Sequence, residues 1–227
     1  MTRPQSTVPH DQIPVLEHLE NGYGRAVAQR HQPYLSVLSG CVPYPAVDAQ
    51  GRVSEGLPTD SPEEGCSQSS GQCYYRAVKR GDLWGIVYAW YFPKDCPAPG
   101  AGHRHDWEGA VIWARDDEGT TQLEHFGYSQ HGRFFIVEAD THTAYHGHPL
   151  LAYSRYGERV THSMWLHDQP GGLQPLIGWE ELPAASRRAL NVADFGAADV
   201  LIADRNFQRN LFKAWPGQPE EVMDLLG

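Results

Sequence analysis

The sequence predicts a mostly β protein, a single-domain β-sandwich flanked by a few peripheral α-helices. Short runs rich in Val, Ile, Tyr and Trp recur from Tyr74 to Leu166, punctuated by turn residues. That spacing favours a sandwich over alternating βαβ units. The length of 227 residues suits one large all-β unit, and no repeat, low-complexity tract or linker divides it.

Residues 1–9 read as a loose, polar N-terminal segment, 10–215 as the domain and 216–227 as a tail. Gly24 to Gln32 can form a short helix, stopped by Pro33. Residues 39–72 hold many Gly, Pro, Ser and Asp and no apolar period, so they read as a long ordered loop framed by cysteines. Tyr74 to Lys79 leads through Arg80-Gly81-Asp82 into Leu83 to Phe92, a hairpin. Gly109 to Ala114, the turn Asp116-Asp117-Glu118-Gly119 and Thr120 to Phe126 make a second. Arg133 to Val137, Pro149 to Tyr153 and Val160 to Leu166 are further strands. Near the end, Pro183 takes a first helical position, with good helix formers to Leu190. Asp204 can cap another helix, whose Phe207, Leu211 and Ala214 share one face before Pro216 and Gly217 close it.

Composition excludes some functions. The net charge of −10, from 18 basic against 28 acidic residues, argues against a nucleic-acid binder or a polybasic membrane-surface protein. No apolar run has the length of a transmembrane helix. The four cysteines, Cys41, Cys66, Cys73 and Cys96, lie in loop-rich surroundings without a C-x-x-C pair. They fit two disulfides in an oxidising compartment, the alternative being four reduced thiols. Three pairings are open, and Cys41–Cys66 with Cys73–Cys96 is the expected one. The start, Met1-Thr2-Arg3-Pro4, has no apolar signal core, so any secretion signal has been removed or was never present.

The chemistry concentrates where the Pro/Gly-rich loop after Phe92 runs into His103-Arg104-His105-Asp106-Trp107-Glu108 and then at once into an apolar strand. Unpaired buried charges are costly, so such a cluster is either paired or metal-bound. Period two places Arg104, Asp106 and Glu108 on one face, and His105 and Trp107 on the other. Two carboxylates on one face need a cation between them, either Arg104 or a divalent ion. Asp95 supplies a third carboxylate if the loop folds back. Oxygen-rich ligation suits Mg²⁺ or Ca²⁺, with imidazoles holding coordinated water. Zn²⁺, gripped by His103 and His105, and Mn²⁺ are the alternatives. His105 reads as a satisfied core histidine, Trp84, Trp90 and Tyr91 as core, and His125, His142, His146, His148 and His167 as surface residues. Gly127-Tyr128-Ser129-Gln130-His131 begins like a nucleophile elbow, but His131 stands where the second glycine belongs. No H-E-x-x-H motif or EF-hand loop is present.

Gly102-His103-Arg104-His105-Asp106-Trp107-Glu108, preceded by Trp90-Tyr91-Phe92-Pro93-Lys94-Asp95, resembles the Nep1-like proteins. These are the secreted necrosis- and ethylene-inducing cytolysins of plant-associated microbes. His10 to Pro14, Cys41 to Asp48, Pro175-Leu176-Ile177 with Trp179, Ala193 to Gly196 and Asn206-Phe207 extend the likeness from His10 to Trp215. The resemblance implies a secreted, non-enzymatic protein, monomeric in solution, with a divalent ion in an acidic surface cavity. Its ligands and water-holding residues would map onto Asp95, His103, Asp106 and Glu108, and through weaker local similarity onto His131 and His162. The implied partners are sphingolipid head groups of plant plasma membranes, contacted peripherally, with necrosis and plant defence as the outcome. One departure stands out: plant-toxic relatives carry a tryptophan on a loop beside the cavity, whereas Ser154 to Thr161 has Tyr156 and no Trp. Two other readings stay open, a non-lytic lectin-like binder and a metal-dependent hydrolase in which Asp106 and Glu108 activate water.

Overall fold

A computed structural model describes residues 6–19, 21–117, 119–155 and 161–218. The strands are β1 (Thr7–Val8), β2 (Tyr34–Val37), β3 (Val53–Ser54), β4 (Cys73–Arg80), β5 (Leu83–Asp95) and β6 (His103–Asp117). They continue with β7 (Thr120–Gln130), β8 (Arg133–Glu138), β9 (Ala144–Tyr145), β10 (His148–Ser154), β11 (Ser163–Leu166) and β12 (Leu176–Gly178). The helices are α1 (Arg25–Arg30), α2 (Ala184–Val192) and α3 (Asp204–Lys213).

The chain is mostly β, as its apolar runs predict. Six strands form the large sheet in the order β12-β4-β5-β6-β7-β8, and β11-β10-β2, with β9 paired to β10, forms the small one. All thirteen residues of β5 are buried, which explains why it reads as one continuous apolar run. Its two faces meet different layers. Phe92 stacks on Tyr153 of the small sheet at 3.8 Å, and the Tyr88 hydroxyl donates to the Ala28 carbonyl of α1. On the other face Tyr91 packs on Phe195, and a Cβ added at Gly85 would meet Leu211 of α3 at 3.0 Å. The sandwich thus carries a partial third layer of loop and helix.

Both expected hairpins form, with longer strands than the pattern marks. β6 starts at His103, so the polar cluster lies inside a strand paired to β5 (Phe92 opposite Asp106, Asp95 opposite His103). α3 buries Phe207 and Leu211, and Ala214 at its C-cap, as the period demands. Its first residue is Asp204, which gives its carboxylate to Arg76 and Asn191 and caps nothing. Pro183 sits one residue before α2. The supposedly loose start is in part a strand. β1 pairs in parallel with β3, and Val8 is buried.

The disulfide Cys41–Cys66 closes the long loop, worth about 3–4 kcal/mol for 25 residues in the chain-entropy model. The expected Cys73–Cys96 bond does not exist, and both thiols are free and buried. The ladder gives the reason. Cys73 faces Trp90, and Cys96 lies six residues further along that strand, about 20 Å away, far beyond disulfide reach.

Candidate functional site

The site occupies the place where β6 and β7 part. Their last pair is Ala110 with Tyr128, yet β6 runs on to His103 against β5, and β7 runs on to Gln130 against β8. Between the parted strands a cavity of about 180 Å³ opens, lined by Asp95, His103, Asp106, Glu108, His131 and His162. The structure thus gathers all six predicted residues around one cavity.

His105 explains how. Strict alternation would put His103 on the opposite face from Asp106 and Glu108, with Arg104 beside them. His105, however, has φ of 62°, in the left-handed region. This breaks the alternation. His103 joins the carboxylates, and Arg104 turns outward to donate to the Glu55 carbonyl at 2.9 Å. The ion pair of Arg104 with Asp106 and Glu108 is therefore ruled out. His105 itself sits among core rings, its Nδ1 2.7 Å from the Tyr91 hydroxyl and its ring against Phe195. Burial first, then Arg104, pushes its pKa down to about 4. Its Nδ1 is engaged by Tyr91 and it does not line the cavity that His103 lines, so the two imidazoles do not converge on a Zn²⁺ site.

Each carboxylate is held by the protein. Asp95 accepts from the His162 backbone N–H at 3.1 Å and from His162 Nδ1 at 2.7 Å. His103 Nε2 lies 3.8 Å from Asp95 Oδ2. Asp106 accepts from the Tyr153 hydroxyl at 2.8 Å and from the Trp107 N–H at 2.9 Å. Glu108 accepts a short hydrogen bond from the Ser129 hydroxyl, whose oxygen accepts from the Gly109 N–H. That bond, in a strand–turn–strand setting, removes Ser129 from any nucleophile elbow. His131 stands exposed in the β7–β8 turn, its Nδ1 3.3 Å from the Thr161 hydroxyl.

Asp95, Asp106 and Glu108 are 1%, 5% and 6% exposed, and among the described residues none pairs with a lysine or arginine. Burial first, and Asp95 second, raise Asp106 to about 7. Burial, then Asp106, push Glu108 well above the usual carboxylate range. Three buried acids with no more than two imidazoles, His162 and His103 beside Asp95, to offset them call for protons or a cation. His162 Nε2 and Trp107 Nε1, on two further lining residues, are buried without a protein partner. Among the described residues no group of three His, Cys, Asp or Glu side chains is clustered tightly enough to hold an ion alone. The donor set fits a hard cation that takes one or two carboxylates and keeps several waters, as Mg²⁺ does.

Sequence reasoning missed several lining residues. Ser129 reads only as part of a broken nucleophile-elbow motif, Tyr153, which holds Asp106 without lining the cavity, only as a strand position, and the far wall (Asp199, Arg209, Asn210 and Lys213) comes from about a hundred residues downstream with no local signal. Tyr156 lies outside the described residues.

Comparison with known proteins follows the same outline. A family model described as "Necrosis inducing protein (NPP1)" matches residues 25–214. NLP effector protein 2 of Phytophthora capsici is 36% identical over 222 residues, covering 93% of this chain and 88% of that protein. The structure of NLPPya in complex with mannosamine superposes with a TM-score of 0.87 at 35% identity, over 93% of this chain and all of that one. A protein described as non-toxic HaNLP3 superposes at 0.84 with 35% identity, over 92% of this chain and all of that one.

Proposed function

Because the chain belongs to the necrosis-inducing protein (NPP1) family, we propose that it is a secreted, non-enzymatic, necrosis-inducing effector. In this reading it binds sugar head groups of plant plasma-membrane sphingolipids through a divalent cation. The observation that carries the cation is the set of three buried carboxylates at the wall of a cavity, none paired with a lysine or arginine among the described residues. The sugar is supported by the relative solved with mannosamine.

Asp95 and Asp106 are the direct holders, with His103 and Glu108 placed to hold water around the ion. His131 and His162 lie further out. His162 fixes the Asp95 carboxylate, Tyr153 fixes Asp106, and Ser129 fixes Glu108, so the oxygens are oriented before any ligand arrives. The ion, when bound, supplies a positive centre on which sugar hydroxyls can replace water. A foothold of that kind lets an acidic chain of net charge −10 engage a polar head group.

A non-lytic binder is the second reading, favoured by one observation: a protein described as non-toxic shares this fold at a TM-score of 0.84. Leakage of dye from plant-lipid vesicles, with and without chelator, separates the readings. Cation-dependent leakage is the expected result. Binding without leakage assigns the lectin-like role. Release of a hydrolysis product that vanishes in Glu108→Gln would overturn both in favour of a hydrolase.

A further inference from the structure

The proposed cation uses one wall of the cavity only. The other wall is α3, where Arg205, Arg209 and Lys213 recur every four residues and so form one stripe. Arg209 and Lys213 line the cavity. A basic stripe is unexpected here, since the chain carries a net charge of −10.

The stripe is only partly neutralised. Asp199 lies 3.3 Å from Arg209 and 3.8 Å from Arg205, one acid against two guanidinium groups. Arg209 is set in place by its neighbour, donating to Asn206 Oδ1 at 2.7 Å. Asn206 in turn donates to the Val200 carbonyl, and Asn210 to that of Leu201, which ties the cavity's rim loop to α3. Lys213 donates to the Gly132 carbonyl at 2.7 Å, linking α3 to the β7–β8 turn. Arg209 donates both of these bonds from one terminal nitrogen, Nη2. Its other N–H donors, and the remaining protons of Lys213, meet no partner among the described residues. An anchored guanidinium with spare donors beside an ammonium is a good receptor for a tetrahedral anion.

We propose that Arg209 and Lys213 form an anion subsite, which takes the phosphate of an acidic membrane lipid head group. Resting on the sugar-binding reading above, this makes the cavity bipolar: hydroxyls meet the Asp95–Asp106 end, and phosphate meets α3. Arg205, on the same stripe but not a lining residue, extends the positive strip onto the surface beside the cavity. An anionic bilayer surface matches that extension, whereas a small free anion would not use it.

The test is sedimentation of the full chain with phosphatidylcholine vesicles doped with phosphatidylinositol (anionic) or glucosylceramide (neutral). Inorganic phosphate serves as a third arm. We expect the wild type to prefer the anionic vesicles, and Arg209→Gln with Lys213→Gln to lose about tenfold on them. The ratio of the two affinities should collapse. The charge-preserving pair Arg209→Lys with Lys213→Arg should keep it, and so controls for folding. An unchanged ratio in the Gln variant, or no wild-type binding to phosphatidylinositol vesicles, overturns the subsite. Inorganic phosphate bound as tightly as the vesicles overturns the lipid as its source. Failure of the sugar reading looks different: glucosylceramide binding then ignores chelator, while the anionic preference persists.

Discussion

The two ends of the β5–β6 hairpin carry similar acids and treat them in opposite ways. At the Leu83 end, Asp116 pairs with Lys79, and Arg115 bridges Asp82 and Glu124. Those side chains remain between 30% and 56% exposed, so water screens what the pairs leave over. At the Asp95 end, three acids are buried and, among the described residues, none has a lysine or arginine. Same strands, same kind of residue. The difference teaches that carboxylates by themselves indicate nothing, whereas burial without a lysine or arginine beside them leaves protons or a cation to neutralise the charge.

Removing one ligand should break the comparison most strongly. Asp106→Asn should weaken Mg²⁺ or Ca²⁺ binding by about 100-fold or more in calorimetry. A wild-type protein at about a hundred times its dissociation constant gains about 2.7 kcal/mol, which is about 5–10 °C in melting temperature. The variant should show none of that gain. An equal gain in both would move the cation elsewhere.

Glu108→Gln comes next. It keeps an oxygen for Ser129 but removes the charge, so a loss of about tenfold in cation affinity is expected, without collapse of the fold. Circular dichroism and calorimetry on one preparation check both halves of that statement.

At the balanced end the effects should be small and indifferent to divalent ions. Lys79→Met should cost about 0.5–1 kcal/mol in urea unfolding, and concentrated salt should erase the difference. A loss that persists in salt would show that this pair is not merely a screened surface contact.

Acid provides the smallest contrast. His31 is buried behind the balanced end, with Nδ1 2.9 Å from the Gly147 carbonyl and Nε2 2.9 Å from the Thr121 hydroxyl. Burial lowers its pKa from the usual 6.5, with Arg30 and His148 adding to the effect. The folded state therefore binds fewer protons than the unfolded chain. The stability this group contributes is present above pH 6.5 and lost as pH falls through the lowered value. His31→Gln should reduce that acid sensitivity by about 1–2 °C in melting temperature between neutral and mildly acidic buffer.

Much of this was legible in the chain because it is local. Turn residues such as Gly81, and the unbroken apolar run from Leu83, define the central hairpin without any tertiary information. The cluster from His103 to Glu108 announces itself by composition. What stayed hidden depends on geometry that a period-two rule cannot carry. One left-handed residue, His105, reassigns Arg104 and His103 to new faces. The far wall of the cavity is brought in by packing of α3, and the position of Cys96 relative to Cys73 depends on how far β5 runs past Trp90.

Those two free thiols have a kinetic consequence. Cys73 is fully buried opposite Trp90, and burial pushes its thiol well above the ordinary value, so native protein presents almost no thiolate there. Reagent reaches it once the start of β4 lifts from β5, which opens the large sheet between its second and third strands. Alkylation of Cys73 therefore runs at the rate of that opening, or at the equilibrium share of the open form when reclosure is fast. The chain carries an internal counter of its own excursions from the native state, placed in the core and needing no label.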